Sequence, residues 1–368
     1  MEGSELDTRR IIHSENSNPL MVQEFSFDYQ ELKLFMTSNS ESQIIARGLD
    51  PNFSPPLGGI YQFEIATVNG QYGWIYDKFG NQLEFLTWFA GLNDEKSQKL
   101  KLRVSKYSSI CLKTQNTFLQ GNTLSLLSDW ALENWGHFLL DSISKLAFLE
   151  KQNISQDIFD HILVPDFPGR HANRLLELTI TDPKKIVRCN AKQNYRVANL
   201  WAISIPAYKR CYSSDGPKFL RNLIDKVEPI EFKLFIPRKK NPRKFRVSNE
   251  ISKFLKVNNF ETFDPVESDS PYNKFSSAKF VLGVHGAALA GIVFCKKKTN
   301  FCEIQSRSHS FPYFQSLAIS AGHKTHIVKY GNSNSISLYK KLYGLSMTNL
   351  EIDQTIELIS EVLSSESP

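Results

Sequence analysis

Residues 282–294 read LGVHGAALAGIVF. The run opens as an apolar strand, turns at His285-Gly286-Ala287, and continues as small and aliphatic residues suited to a helix. Gly283 and Gly286 allow a tight turn, while Ala287 and Ala288 let a ligand approach the first helical turn. A helix N-terminus at the carboxyl end of a parallel strand offers N–H groups and a positive dipole end, which is an anion site. His285 stands at that turn, where its ring can donate to a phosphate or a sugar hydroxyl. The same residues also suit a simple His-capped helix whose glycines only ease packing. The pattern alone leaves both readings open.

Outward from this run, strands alternate with helices. KLFIP (233–237), ETFDP (261–265), KFVLGV (279–284), NFCEI (300–304) and HKTHIV (323–328) read as strands. Residues 248–258, 272–278, 287–294 and 312–321 read as the helices between them. That alternation implies a parallel, doubly wound sheet, assigned here to residues 211–345. Residues 346–368 close it with an amphipathic helix over 349–364. Toward the N-terminus, HILVPDF (161–167) and ANLWAIS (198–204) are strands, and 130–151 and 170–178 are expected helices. Aromatic runs separated by Gly and Asn-Gly turns make 59–89 a β-rich start. Prolines and Ser-Ser-Asp-Gly-Pro mark a break within 206–229. The expected architecture is α/β: a disordered tail (1–20), a first α/β domain (21–210) with the β-rich start, and a cleft between it and the second domain.

Composition narrows the class. Of 368 residues, 41% are hydrophobic and 22% charged, which excludes a disordered chain, a collagen-like fibre and a disulfide scaffold. Forty-four Lys and Arg against 38 Asp and Glu leave +6, enough for an anionic small ligand but too little to argue for nucleic acid. The five cysteines, at 111, 189, 211, 295 and 302, show neither CxxC spacing nor a companion His pair, so buried thiols are expected. The polar first 20 residues lack a signal-type apolar stretch. The longest apolar run, 280–294, contains His285 and falls short of the roughly 20 residues of a membrane span. The expectation is a cytoplasmic protein without a transmembrane segment, with peripheral association with a membrane or a partner complex left open.

Two further stretches carry chemistry. PRKKNPRKFRVSNE (237–250) follows a strand and holds Arg238, Lys239, Lys240, Arg243, Lys244 and Arg246. A guanidinium fork at a strand end can clamp a diphosphate, although charge runs are more often solvated loops. This loop and His285 both follow strands of one expected parallel sheet, whose carboxyl edge gathers its ligand. ALENWGHFLLDSISKL (131–146) places Glu133, His137 and Asp141 at i, i+4 and i+8, one stripe of a helix that could supply a general base with an orienting carboxylate. If the helix starts only after Gly136, Glu133 and Asn134 fall on the preceding loop. A buried polar cluster would produce the same stripe. Glu303, at the end of the strand that follows the His285 helix, could accept both hydroxyls of a ribose, or serve as a cap. P-loop, hydrolase-elbow and G-x-G-x-x-G signatures are absent. D-x-D is absent too, Glu267-Ser-Asp269 being a weak imitation. Charge on a leaving diphosphate then falls to Arg, Lys and a helix dipole, with no metal expected.

In order along the chain, these pieces resemble glycosyltransferase family 61, the capsular polysaccharide biosynthesis-type glycosyltransferases. Asn134-Trp-Gly-His137-Phe-Leu-Leu-Asp141 matches that family's N-[YW]-G-H-[FW]-L-L-D segment. Pro237-Arg238 and Arg246-Val-Ser-Asn249-Glu250 match its strand-end arginines. Phe275-Ser-Ser-Ala278, Gly283-Val-His285-Gly-Ala287 and Glu303-Ile304 match its F-x-S-A, G-x-H-G-A and Glu-Ile segments. The resemblance runs from about residue 124 to 328. It departs at Pro271-Tyr272, where the family often has Gln, and at Ala290-Gly291, where it often has Thr-Asn.

The resemblance implies a GT-B-like fold of two Rossmann-like domains, the first on the acceptor side, and an inverting, metal-independent transferase, often with a UDP-sugar donor and no cofactor. It implies that Arg238, Arg246 and the His285-Gly286-Ala287 turn face the donor diphosphate, with Arg243 in the same loop and Glu303 near the ribose. His137, Asp141 and Glu133 are then the candidates for the base, and Asn134 and Trp135 for acceptor contacts. The expected function is sugar transfer from a nucleotide sugar to a hydroxyl of a glycan or polysaccharide, and the partner complex left open above is one of glycan assembly. The alternatives are a non-catalytic GT-B-like scaffold and an epimerase of the same architecture.

Overall fold

The computed structural model describes residues 20–90, 92, 94–111, 116–224, 232–238, 245–268, 270–307, 310–331 and 347–364. Residues 1–19 of the expected disordered tail, Lys239, Lys240, Arg243, Lys244, Asp269 and the side chain of Cys111 lie outside the described residues, whereas Leu20 already begins a strand. The chain forms two compact units. The first comprises Met1–Ser26, Pro56–Pro168 and Leu176–Lys209, the second Phe27–Pro55, Gly169–Leu175 and Arg210–Pro368.

The first unit is built on a mixed sheet. Its strands are β1 (Leu20–Phe25), β2 (Gly58–Asn69), β3 (Ile75–Tyr76), β4 (Asn116–Ser125), β5 (His161–Pro165), β6 (Ile186–Cys189) and β7 (Asn194–Ile203). The order is β1-β2-β7-β4-β5-β6, with β3 paired to β2. β7, β4, β5 and β6 run parallel, whereas β1, β3 and β7 pair with β2 antiparallel. The β-rich start is therefore part of the sheet: β2 lies beside β7, and its alternation buries Phe63, Ala66 and Val68 against Leu163, Tyr195 and Leu200.

Residues 130–151, expected as one helix, form a succession of short turns. A three-residue α-turn (Trp135–His137) leads into a π-turn (Phe138–Ser142), a 3₁₀ turn (Ile143–Lys145) and an α-turn (Leu146–Lys151). The Asn134 side chain caps the start, accepting from Gly136 N–H at 2.9 Å and His137 N–H at 3.4 Å. Farther on, Ser144 Oγ donates back to the Leu140 carbonyl, a local bond that competes with the regular ladder.

In the second unit, after the two-residue strands β8 (Ala207–Tyr208) and β9 (Cys211–Tyr212), the chain lays down β10 (Phe232–Ile236), β11 (Phe260–Thr262), β12 (Ala278–Val284), β13 (Asn300–Ser306) and β14 (Lys324–Tyr330). The order is β11-β10-β12-β13-β14, all parallel. Short helices make the crossovers: Asn249–Val257, capped by Ser248 Oγ, then Pro271–Ser276, Ala287–Phe294 and Tyr313–Ser320. Phe235, Phe280, Leu282 and Ile304 pack with Ile251 and Leu255 of the first crossover and with Ile352 and Ile359 of the C-terminal helix Asn349–Ser364. Each such side chain contributes about 1.5–3 kcal/mol by leaving water.

In this strand order the chain reverses direction across the sheet between β10 and β12, so both loops leaving their carboxyl ends open outward. That is the topological switch point where doubly wound sheets hold ligands. Residues 287–294 adopt a 3₁₀ rather than an α spiral. Leu289 through Phe294 are buried on all sides, and at Gly291 a Cβ would collide with the ring of Phe275. A side chain at that position would have no room beside Phe275 as it is placed.

Candidate functional site

In the second unit, Arg238 leaves the end of β10 and His285 the end of β12. Nη1 of Arg238 donates to the carbonyl of His285, which ties the two strand ends together. A Cβ on Gly286 would sit 2.5 Å from that nitrogen, so the glycine is what admits the guanidinium. The loop bearing the basic run is pinned at its base, where Phe245 N–H donates to the Arg238 carbonyl at 3.0 Å. The first bond of the 3₁₀ spiral runs from Leu289 N–H to the Gly286 carbonyl. The N–H groups of Ala287 and Ala288 therefore precede the ladder, on residues that are partly exposed. Arg238 and this spiral start place positive charge and N–H donors at the switch point, an arrangement suited to an anion.

Behind them lies a buried polar cluster. Nδ1 of His285 meets Oε1 of Glu303 at 2.5 Å. Gln315 Nε2 donates to Oε2 at 3.0 Å, and Gln305 Nε2 reaches Oε1 at 3.5 Å while donating to the Phe311 carbonyl at 2.7 Å. The ring of His285 stands edge-on to Phe314 with centroids 5.2 Å apart. Glu303 is fully buried, so its carboxylate fixes the tautomer and orientation of His285.

The first unit carries a second His–carboxylate pair directly after β4. His137 Nδ1 lies 2.5 Å from Asp141 Oδ2. Asp141 is completely buried and His137 partly exposed. Asp141 lies within the π-turn Phe138–Ser142, which His137 immediately precedes, and such turns recur at functional sites. Beside the pair, Asp129 is buried and accepts from Trp74 Nε1 at 2.5 Å and from Trp88 N–H at 2.9 Å. Burial raises its carboxyl to about 6, against the lowering effect of those two donors. Lys145, also buried, donates to the Leu127 carbonyl at 2.7 Å. Burial lowers its ammonium to about 8, opposed by Asp141 and Asp129.

Residues 135–302 match one protein-family model, described as Glycosyltransferase 61. This segment belongs to glycosyltransferase family 61. No curated protein matches the chain at a significant level. The matched segment is thus that of a glycosyltransferase family, whose members act on a sugar donor and an acceptor. The matched segment holds both His137 and Asp141 as well as Arg238 and His285. It ends one residue short of Glu303.

Against this family background the remaining candidates can be placed. Within the second unit Arg238, His285, Gly286, Ala287 and Glu303 come together. Arg246 is exposed just past the pinned loop, and Arg243 lies outside the described residues. Glu303 does not stand open to ribose hydroxyls, since three side chains occupy it. In the first unit His137 and Asp141 pair, whereas Glu133 is exposed on the preceding turn. Asn134 is spent as a cap, and Trp135 is buried on Phe138 and Phe167, with centroids 5.7 and 5.9 Å away. Both are committed to the local fold.

Several members of the two clusters were not singled out from the sequence: Asp129, Lys145, Trp88, Trp130, Gln305 and Gln315. A charged Lys inside the apolar run SISKLAFL (142–149) was the one local signal that pointed to them. Among the described residues no group of three or more His, Cys, Asp or Glu has metal-ligating geometry, and no helix is long and apolar enough to cross a membrane.

Proposed function

We propose that the chain is an inverting, metal-independent glycosyltransferase that moves a sugar from a nucleotide sugar, a UDP-sugar by family resemblance, to a hydroxyl of a glycan. The single observation that supports this most is the switch point of the second unit, where Arg238, held on the His285 carbonyl, meets the open N–H groups at Ala287. The second unit takes the donor half of a GT-B-like transferase in this reading and the first unit the acceptor half. Arg238 and the spiral start hold the diphosphate and neutralise it as it leaves. His285 donates to the nucleotide, oriented by Glu303.

On the first unit, Nδ1–H of His137 is given to Asp141, so Nε2 is the nitrogen that can take a proton. His137 removes the proton of the acceptor hydroxyl, whose oxygen attacks the anomeric carbon while the bond to the diphosphate breaks. One displacement inverts the anomeric configuration. The leaving group departs as the nucleoside diphosphate.

Thermal stability with UDP, GDP, CMP, dTDP and NAD, each with EDTA present, tests the reading. A nucleotide at 100 times its dissociation constant adds about 2.7 kcal/mol to stability. The expected result is stabilisation by one nucleoside diphosphate despite EDTA, together with turnover of the corresponding nucleotide sugar. Stabilisation without turnover on any acceptor would favour a non-catalytic scaffold, and no stabilisation at all would refute the donor site.

A further inference from the structure

Around His137, on the first unit, stand two tryptophans that the mechanism does not use. Trp88 and Trp130 lie edge to face with centroids 5.4 Å apart, and the ring of His137 is 6.0 Å from the first and 5.3 Å from the second. Both are partly exposed, in contrast to Trp74 and Phe89, which are buried and form the core on which the outer pair packs. The backbone pays an unusual cost to keep Trp130 there: its φ is +57°, a left-handed conformation that bulky residues rarely adopt. Strain of this kind persists where the surroundings over-determine it, and it collects at binding sites.

The surroundings do over-determine it. The carboxylate of Asp129, the residue before Trp130, takes the backbone N–H of Trp88 on one oxygen and the Trp74 indole on the other. A single buried group thereby ties the backbone of Trp88 to the residue that precedes Trp130, although the two stretches are far apart in the chain. Rigid, part-exposed indoles whose placement is set before any ligand arrives form a preorganised surface. Its chemistry is selective. An indole face is electron-rich and apolar, and it suits a ligand that shows a flat row of C–H groups while keeping its polar groups at the rim. A pyranose ring has that shape. A hydroxyl at the rim of a ring lying on these tryptophans would be within reach of His137.

We propose that Trp88 and Trp130, whose ring planes stand 84° apart, form a two-walled platform for a sugar ring of the acceptor, one indole face stacking on the ring and the other closing its side, with His137 at its edge. The proposal deepens the transferase reading and rests on it for the word acceptor. The saccharide contact itself rests on the tryptophans alone.

The test is calorimetric titration of the full chain with cellotriose, xylotriose, mannotriose and triacetylchitotriose, which differ in linkage and substituents but all present pyranose C–H faces. The variants are W88A, W130F and W130G. Saturable binding of at least one trisaccharide is expected, weakened about tenfold or more in W88A and W130G and retained within about threefold in W130F. Glycine relieves the positive-φ strain but gives up the ring's packing on Trp88 and Phe89, so a lowered Tm is expected of either role; lost saccharide binding in a variant still folded at the assay temperature marks a platform residue.

Failure of all four trisaccharides to bind saturably would overturn the platform, as would wild-type affinity in both W88A and W130G, or lost binding confined to variants no longer folded at the assay temperature. Stabilisation by UDP, read in the same samples, keeps the two readings apart. UDP binding without saccharide binding refutes the platform only. Saccharide binding without any nucleotide effect refutes the donor site and leaves the platform standing.

Discussion

Gly286→Ala isolates the donor side of the site with a single methyl group. The backbone of Gly286 is extended, with φ 171°, so alanine is sterically at ease there. The added Cβ meets one group closely: Nη1 of Arg238 at 2.5 Å, with Cζ at 3.4 Å and the Val284 carbonyl at an ordinary 3.7 Å. The neighbour that must yield is the far end of a flexible side chain, so the fold has an inexpensive way out. Arg238 swings away from the His285 carbonyl, and one hydrogen bond worth about 1 kcal/mol is lost. Replacing glycine restricts the unfolded chain and returns about 0.4–1 kcal/mol. Stability should therefore change by less than about 1 kcal/mol.

Binding should change far more. A guanidinium on a diphosphate makes charge-assisted hydrogen bonds worth about 1.5–3 kcal/mol, which is about 10- to 150-fold in Kd. Calorimetric titration with the nucleoside diphosphate that stabilises the wild type, in EDTA, reads this directly. Arg238→Ala should weaken binding by a similar factor. The double variant should bind no worse than Arg238→Ala alone, because both changes remove the same interaction. Wild-type Kd in Gly286→Ala would refute the reasoning, and so would a double variant whose loss equals the sum of the two.

Three other outcomes are expected. His137→Ala and Asp141→Asn should each lower kcat at least about 100-fold, and a smaller loss in initial-rate assays would remove His137 as the base. Glu303→Ala leaves His285, Gln305 and Gln315 facing a buried void, so urea denaturation should show a loss of about 3 kcal/mol or more. Asp129, lifted by burial from 3.8 to about 6, holds its proton more tightly in the folded chain than in the unfolded one. Its contribution is therefore full below pH 4 and is lost as pH rises through 6, roughly 3 kcal/mol over the window. The stability of wild type minus Asp129→Asn should fall across that range, and a constant difference would refute the assignment.

The second unit was the more legible from sequence. Its strands are short apolar runs cut by Pro, Gly and charged residues, and two glycines with a histidine marked the turn after β12. Legibility failed where hydrogen bonds reach across the chain. Nothing in the residues around Asp129 shows that its carboxylate will be shared by Trp74 and Trp88, 55 and 41 positions away. The apolar spacing of residues 130–151 satisfies an α-helix as well as the mixed π and 3₁₀ turns that form. Side-chain bonds of Asn134 and Ser144 decide between them, and periodicity does not record those. Glu303 was visible as a carboxylate at a strand end. That it would serve His285 depended on Gln305 and Gln315 closing around it.

The two His–carboxylate pairs share one contact geometry, Nδ1 to oxygen at 2.5 Å, yet their surroundings fit them for different work. Glu303 divides its charge among His285, Gln305 and Gln315, and the His285 side chain is only 9% exposed. That pair is held as a fixture, suited to presenting a ring in one orientation. Asp141 serves His137, and its Oδ1 is buried without a hydrogen-bond partner among the described residues. The His137 side chain is 17% exposed, so a hydroxyl can reach its ring. When His137 takes a proton, the undivided carboxylate beside it gains an opposite charge in a poorly screened setting. Before the transfer that gain does not exist. An interaction that grows only as the proton moves lowers the barrier rather than the ground state, and this difference in burial and partners, not the shared geometry, is the ground on which the pair of the first unit is proposed as the base.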